Sequence, residues 1–343
     1  MSFNIEKRNS IRLYILEKIG SGEMNVAGKA AENFSVSLNT VYRYLRELTD
    51  ARQIAKCSNG KYSLVARSVT YEISREDFID ELDIYQGKIF PFTEKLPRNV
   101  EKIWAYAFCE MMNNVIDHSQ ASRVQFVINL TAVDTSIVLI DNGIGAFRNI
   151  MEKFKMASLD QAIQELFKGK LTTDSEHHSG EGIFFSSRMM DEFAVVSSGK
   201  VFSHSKYETI ASSLNSIKEL KGWDNLPGTI VFMKLSNYSK REIGEVFRAY
   251  EDEDYDFIRT IVPVKNLFDS FPVSRSQAKR LCKGFERFKE VILDFRDVEM
   301  TGQGFADEIF RVYVNHNPDV KISYINACNE VERMIRHVES RTF

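Results

Sequence analysis

Residues 103–119, IWAYAFCEMMNNVIDHS, read as a helix that is apolar on most sides yet carries a polar line. Glu110, Asn114 and Asp117 fall at i, i+4 and i+7, with His118 one step on, so they share a stripe on a helix otherwise suited to burial. A buried polar stripe costs stability unless something satisfies it. A magnesium ion with bound phosphates would do so. It keeps most of its waters and needs only one or two protein oxygens, which an Asn carboxamide can supply, while a neighbouring Glu can orient or deprotonate a nucleophile. Taken alone, the stripe reads more simply as a helix face open to solvent.

The surroundings change that reading. Two strand-like runs follow, VQFVINL (124–130) and SIVLI (136–140), and the second ends at Asp141 in DNGIG (141–145). A carboxylate at the end of a buried strand is thus followed by two glycines, whose lack of Cβ lets a ligand approach the backbone closely. Further on, HSGEGIFFSSRMMD (178–191) places Gly180 and Gly182 ahead of a helix. A Gly-rich turn feeding a helix N-terminus can bind phosphate through free N–H groups and the helix dipole. A late strand, TIVFMKL (229–235), follows Pro227-Gly228.

In content and order these pieces resemble the GHKL ATPases, the family of gyrase, heat-shock chaperones, histidine kinases and MutL, over about residues 100 to 235. The likeness is nearest to the anti-sigma-factor kinase and histidine-kinase branches. The resemblance implies an α/β sandwich that binds ATP and magnesium. Glu110 matches the family's catalytic Glu, Asn114 its magnesium ligand, and Asp141 the acceptor for the adenine amino group. Gly143 and Gly145 match the first glycine box, Gly180 and Gly182 the second, and Thr229 the threonine that supports adenine through water. The segment between Phe147 and Ser179 would be the lid, with Lys168 and Lys170 as candidate phosphate contacts. There is no phosphoacceptor helix with a His followed by an acidic residue, which argues against an ordinary sensor histidine kinase. Nor is there room between Leu235 and the last domain for the long transducer domain of gyrase or MutL.

Upstream, the apolar spacing of Ile11, Leu13, Tyr14, Ile15, Leu16 and Ile19 predicts a buried helix stopped by Gly20 and Gly22. A short helix, VAGKAAENF, and a turn at Ser35–Ser37 precede a second helix, LNTVYRYLRELTD, capped by Ser37, with Val41, Leu45 and Leu48 inward. QIAKCSNGKYSL then alternates around Asn59-Gly60, a strong hairpin signal. Residues 8 to 66 resemble the winged helix-turn-helix of bacterial transcription regulators. The resemblance implies duplex DNA as partner, with Ser37, Asn39, Thr40, Tyr42 and Arg43 facing the major groove and Lys56 and Lys61 on the wing. Charge agrees: residues 1–66 hold ten Lys/Arg against six Asp/Glu, and the remainder 35 against 42.

From 257 to 340 the sequence reads helix, strand, helix, strand, helix, a small α/β layer with Val291–Phe295 as a buried strand. SRSQAKRL, VILDFRDVEMTGQGFADEIFRVY and ISYIN resemble STAS-like domains and, more distantly, anti-sigma-factor antagonists. Thr301-Gly302 occupies the antagonists' phosphoacceptor position, although Glu299-Met300 replaces their Asp-Ser. The plainer reading is that Thr301 caps the following helix.

The expected architecture is α/β and multidomain: a winged helix-turn-helix (1–66), a connector (67–98), a GHKL sandwich (99–240) and a STAS-like domain (257–340), with the acidic EDEDYD (251–256) near the last boundary. No apolar run approaches the roughly 20 residues of a membrane span, and the N-terminus lacks the apolar core of a secretion signal, so a cytoplasmic protein is expected. Cys57, Cys109, Cys282 and Cys328 are scattered, which argues against zinc and disulfides. The expected function is regulatory, with ATP occupancy governing how the terminal domains meet DNA and a regulatory protein partner. The alternative is a Ser/Thr protein kinase or slow ATPase acting through Glu110. Both terminal resemblances are compatible with a homodimer.

Overall fold

The computed structural model describes residues 4–58, 60–78, 80–170, 181–254, 256–267 and 271–340. The head comprises α1 (Ile5–Gly20), α2 (Val26–Phe34), α3 (Leu38–Asp50) and the antiparallel strands β1 (Ile54–Lys56) and β2 (Tyr62–Leu64). Asn4, Asn25 and Ser37 cap the three helices by accepting from the backbone N–H of Lys7, Gly28 and Thr40. Val41, Leu45 and Leu48 are buried against Ile11, Ile15 and Ile19, as the helical period requires.

A second sheet follows, antiparallel throughout, with order β3-β4-β5-β8-β6-β7 among the described residues. Its strands are β3 (Arg67–Ser74), β4 (Arg123–Leu130), β5 (Asp134–Asp141), β6 (Glu192–Ser197), β7 (Lys200–Ser203) and β8 (Thr229–Ser236). Between β3 and β4 lie the short α4 (Glu81–Ile84) and α5 (Phe90–Thr93), around a π-helical turn, and the long α6 (Arg98–His118). Next come α7 (Ala146–Lys153), α8 (Leu159–Lys168), α9 (Gly182–Met189), α10 (Tyr207–Asn215) and α11 (Ile243–Arg248). Strand alternation sorts the side chains. Phe126, Ile128, Ile137 and Leu139 share a core with Trp104, Phe108, Met111 and Met112 of α6, whereas Val127, Val138 and Phe232 face Ile210, Leu214 and Trp223.

Two expectations fail here. Residues 67–98 are no connector: Arg67–Ser74 pairs with β4 along its whole length as an edge strand, and Tyr85 and Ile89 are fully buried. Nor is the stretch before 257 an open boundary, because Phe247 and Tyr250 stack on Phe185 and Phe184. The acidic charges of 251–254 ride on a segment anchored by aromatics.

The C-terminal unit has a parallel sheet of order β11-β10-β9, from β9 (Arg259–Pro263), β10 (Glu290–Asp294) and β11 (Lys321–Ile325). Around it pack α12 (Arg275–Cys282), α13 (Gln303–Asp307) and α15 (Asn329–Glu339), with the short α14 (Val314–His316) following α13. Strand β9 is missing from the sequence reading because a five-residue run ending in Pro carries little pattern. Its apolar core continues into that of the central sheet, so the two α/β units bury one contiguous interior.

Candidate functional site

Helix α6 and the end of strand β5 form the walls of a pocket. Met111, Asn114, Val115, His118 and Ser119 line it from α6 and its end, Asp141, Gly145, Ala146, Asn149 and Ile150 from β5 and α7, and Ile183, Val195, Thr229 and Val231 complete it. The cavity volume is ≈ 80 Å³, within ≈ 550 Å³ of empty space that includes open solvent.

Asp141 is buried at the end of β5, paired in register with Thr229 of β8. Burial raises its carboxyl above the usual Asp range, and hydrogen bonds from the Gly143 N–H (2.8 Å) and Thr229 offset part of that. Thr229 Oγ1 accepts from Ala146 N–H at 3.0 Å, which ties β8 to the start of α7. Gly143 has a physical reason: a Cβ there would collide with the carbonyl oxygen of Ser119, to which Ile144 N–H donates. The DNGIG turn is thereby clamped to the C-terminus of α6.

Asn114 donates from Nδ2 to the Glu110 carbonyl at 2.8 Å, which leaves Oδ1 as the acceptor available to the pocket. That is a fitting donor for magnesium accompanied by phosphate oxygens. Glu110 lies one turn earlier and outside this lining. Its carboxylate abuts Gly182, where a Cβ would collide with it, so the catalytic candidate and the second glycine box meet at the N-terminus of α9. Gly180 lies outside the described residues.

The fold therefore brings Asn114, Asp141, Gly145 and Thr229 into one pocket, with Gly143 beneath it and Glu110 and Gly182 beside it. Asp117, the third member of the polar stripe, is exposed. Residues that the sequence reading missed include Asn149, whose Nδ2 donates to His118 O, and Ser197, opposite Thr229 in register and hydrogen-bonded to Gly228 O. Asn149 was findable, since it stands one helical turn after Gly145. Ser197 was not, because only strand pairing places it there.

Lys168 and Lys170 correct the expectation of phosphate contacts. Lys168 is fully buried, with Nζ donating to Glu165 Oε1 (2.7 Å) and Lys283 O (2.6 Å). Lys170 Nζ donates to Arg287 O at 3.3 Å. Both hold the C-terminal unit rather than a ligand. Thr301 is 5% exposed and its hydroxyl donates to Pro272 O at 2.8 Å. Its hydroxyl is thus turned inward, and it does not cap α13, whose N-cap is Gly302.

On the head, Asn39, Tyr42, Arg43, Lys56 and Lys61 are exposed. Ser37 is engaged with Thr40, its hydroxyl 3.0 Å from Thr40 Oγ1. Arg43 approaches Glu47 at 3.8 Å and lies over the Tyr44 ring. Among the described residues no helix is long and apolar enough to cross a membrane.

No curated protein matches the sequence. Residues 277–332 match the STAS-like domain of unknown function (DUF4325), so the C-terminal unit carries a STAS-like domain.

Proposed function

We propose that the chain is an ATP-binding regulator, in which a GHKL-type nucleotide site in the central unit governs how a winged helix-turn-helix head and the STAS-like domain meet their partners. The observation that carries this reading is the buried Asp141 carboxylate, held by Gly143 N–H in the pocket that Asn114 and Thr229 also line. That set supplies an acceptor for an exocyclic amine and an oxygen for magnesium. The head packs on Ala132 and Val133, at the β4–β5 turn. Asp141 is at the opposite end of β5, about 23 Å away at ~3.3 Å per residue. Nucleotide can influence DNA binding only by favouring one arrangement of these units over another. Gel-shift titrations of the full chain on duplex DNA, with and without ATP and magnesium, test this. Nucleotide-independent retention, together with no ATP uptake by calorimetry, would overturn the reading.

The exposed cations of α3 and the hairpin support a DNA-binding role for the head. Arg43→Ala is expected to weaken duplex binding roughly fivefold near physiological salt and to lower the slope of log affinity against log salt by about one. A flat salt slope in the parent chain, with no sequence enriched from random duplexes, would remove the DNA role.

The kinase or ATPase alternative draws support from Glu110, which sits beside the Gly182 turn, one helical turn from Asn114. A general base there could reach a nucleophile near a terminal phosphate. The buried Thr301 hydroxyl makes water the better nucleophile. ATP binding retained by Glu110→Ala, with phosphate release lost, would favour this alternative; unchanged ATP in the parent chain would sink it.

A further inference from the structure

A second cleft, of ≈ 840 Å³, opens between strand β7 with the start of α10 and the carboxyl ends of β9 and β10. Arg188 of α9 and His204 line it from the central unit, with Pro263 and Asp294 across from them on the STAS-like sheet. Its volume falls in the range of small-molecule sites, ~300–1,000 Å³. Its position at the carboxyl ends of parallel strands is where open α/β sheets commonly receive ligands.

Arg188 is the unusual member. Its Nη1 donates to His204 Nδ1 at 2.7 Å and its Nη2 to Ile261 O at 2.9 Å, while its Nε is buried without a hydrogen-bond partner. The guanidinium lies over the Phe184 ring at 4.7 Å. Among the described residues no carboxylate is within ion-pair distance of it. Desolvation and the adjacent Arg188 push the His204 imidazole well below its usual range, so this neighbour is neutral and offsets none of the charge. Asp294 across the cleft favours the charged form of Arg188 from beyond ion-pair distance, and Tyr250 adds a side-chain hydrogen bond. A desolvated cation with no directly paired carboxylate still favours an added anion. Three acids also line the cleft, Glu208, Asp294 and Asp297. Asp294 accepts from Arg296 N–H and Asn326, and Asp297 approaches Lys206 across the mouth at 3.9 Å.

We propose that this cleft binds a small anion through Arg188, a phosphate- or carboxylate-bearing molecule whose charge the guanidinium neutralises, with Arg296 and Lys206 at the entrance. The site stands apart from the proposed nucleotide pocket and does not depend on it. It is nonetheless joined to that pocket by α9, which begins at Gly182 against Glu110 and carries Arg188 in its last turn, about 9 Å along at ~1.5 Å per residue. Occupancy of the cleft can therefore bias the glycine turn through one rigid element.

Calorimetric and thermal-shift titrations of the full chain with inorganic phosphate and with citrate, against sodium chloride of equal ionic strength, test the proposal. The expected result is saturable binding of at least one anion, weakened tenfold or more by Arg188→Gln and two- to threefold by Arg296→Ala at the exposed rim. Phosphate alone or citrate alone identifies the preferred headgroup. No saturable binding of either anion, or equal binding by Arg188→Gln, overturns it. If Arg188→Gln fails to fold, Arg296→Ala and Lys206→Ala decide: undiminished affinity in both places the anion elsewhere. Asp141→Asn should bind these anions as the parent does, which separates failure of this site from failure of the nucleotide pocket.

Discussion

Replacing Glu165 by alanine is expected to destabilise the folded chain by about 3–5 kcal/mol, the cost of leaving a buried charge without its partner. One carboxylate serves two cations: Glu165 Oε1 accepts from Lys168 Nζ at 2.7 Å and Oε2 from Arg287 at 2.6 Å. Lys168 is fully buried, and burial already lowers its pKa against the opposing pull of Glu165. Without Glu165 the ammonium would retain only the Lys283 carbonyl, and folding would favour its neutral form. The double substitution Glu165→Ala with Lys168→Met should recover much of the loss, because the unpaired buried ammonium leaves with its partner and Met keeps the lysine's volume. Urea unfolding of the single and double variants measures both effects. A Glu165→Ala variant within about 1 kcal/mol of the parent would mean that the cluster is solvated and does not brace the domains.

This cluster matters because of what α8 connects. Gln164 donates to Leu267 O, Thr260 donates to Lys168 O, and Arg287 and Lys170 exchange hydrogen bonds with each other's carbonyls. The helix ahead of residues 171–180 is thus bound to the STAS-like unit along much of its length. In the proposed reading, a change in that unit reaches the nucleotide pocket without crossing a flexible linker.

Asp141→Asn is expected to weaken ATP ten- to a hundredfold in calorimetry at fixed magnesium, the loss of one hydrogen bond to a charged acceptor, about 1.5–3 kcal/mol. Acidity gives an independent check. Because burial raises the Asp141 carboxyl, ATP affinity should fall as pH is lowered through that raised value, where the stronger, ionised acceptor is lost. Folding stability moves the other way. The folded chain holds this proton more tightly than the unfolded one, so the group's contribution is present below the ordinary Asp range and lost as pH rises through the raised value. Asn at 141 should abolish both dependences. Equal ATP affinity in the variant and the parent would refute the assignment of the adenine acceptor.

Local rules made much of this protein legible from its residues. Asn25 and Ser37 cap helices because a short polar side chain can reach a free N–H within its own turn, and Val41, Leu45 and Leu48 face inward because the helical period demands it. The pairing of VQFVINL with SIVLI, and the crowding at Gly143 and Gly182, follow from alternation and from the absence of Cβ. Contacts distant in sequence were decided only by the tertiary structure. Residues 67–74 became an edge strand because β4 offered an unpaired side, with partners 49 to 63 residues away in the register Arg123↔Ser74 to Leu130↔Arg67 for which no local pattern exists. Lys168 and Thr301 carry chemistry suited to phosphate, yet packing against Lys283 and Pro272 turned both into internal donors. Arg188 passes in the sequence for an ordinary charge in a helix's last turn; the docking of a parallel sheet against its guanidinium makes it a largely desolvated cation with no carboxylate in ion-pair contact. Residue type and spacing determine which groups can cap, alternate or crowd, but desolvation, which sets what a charge must do, depends on which distant surface closes over it.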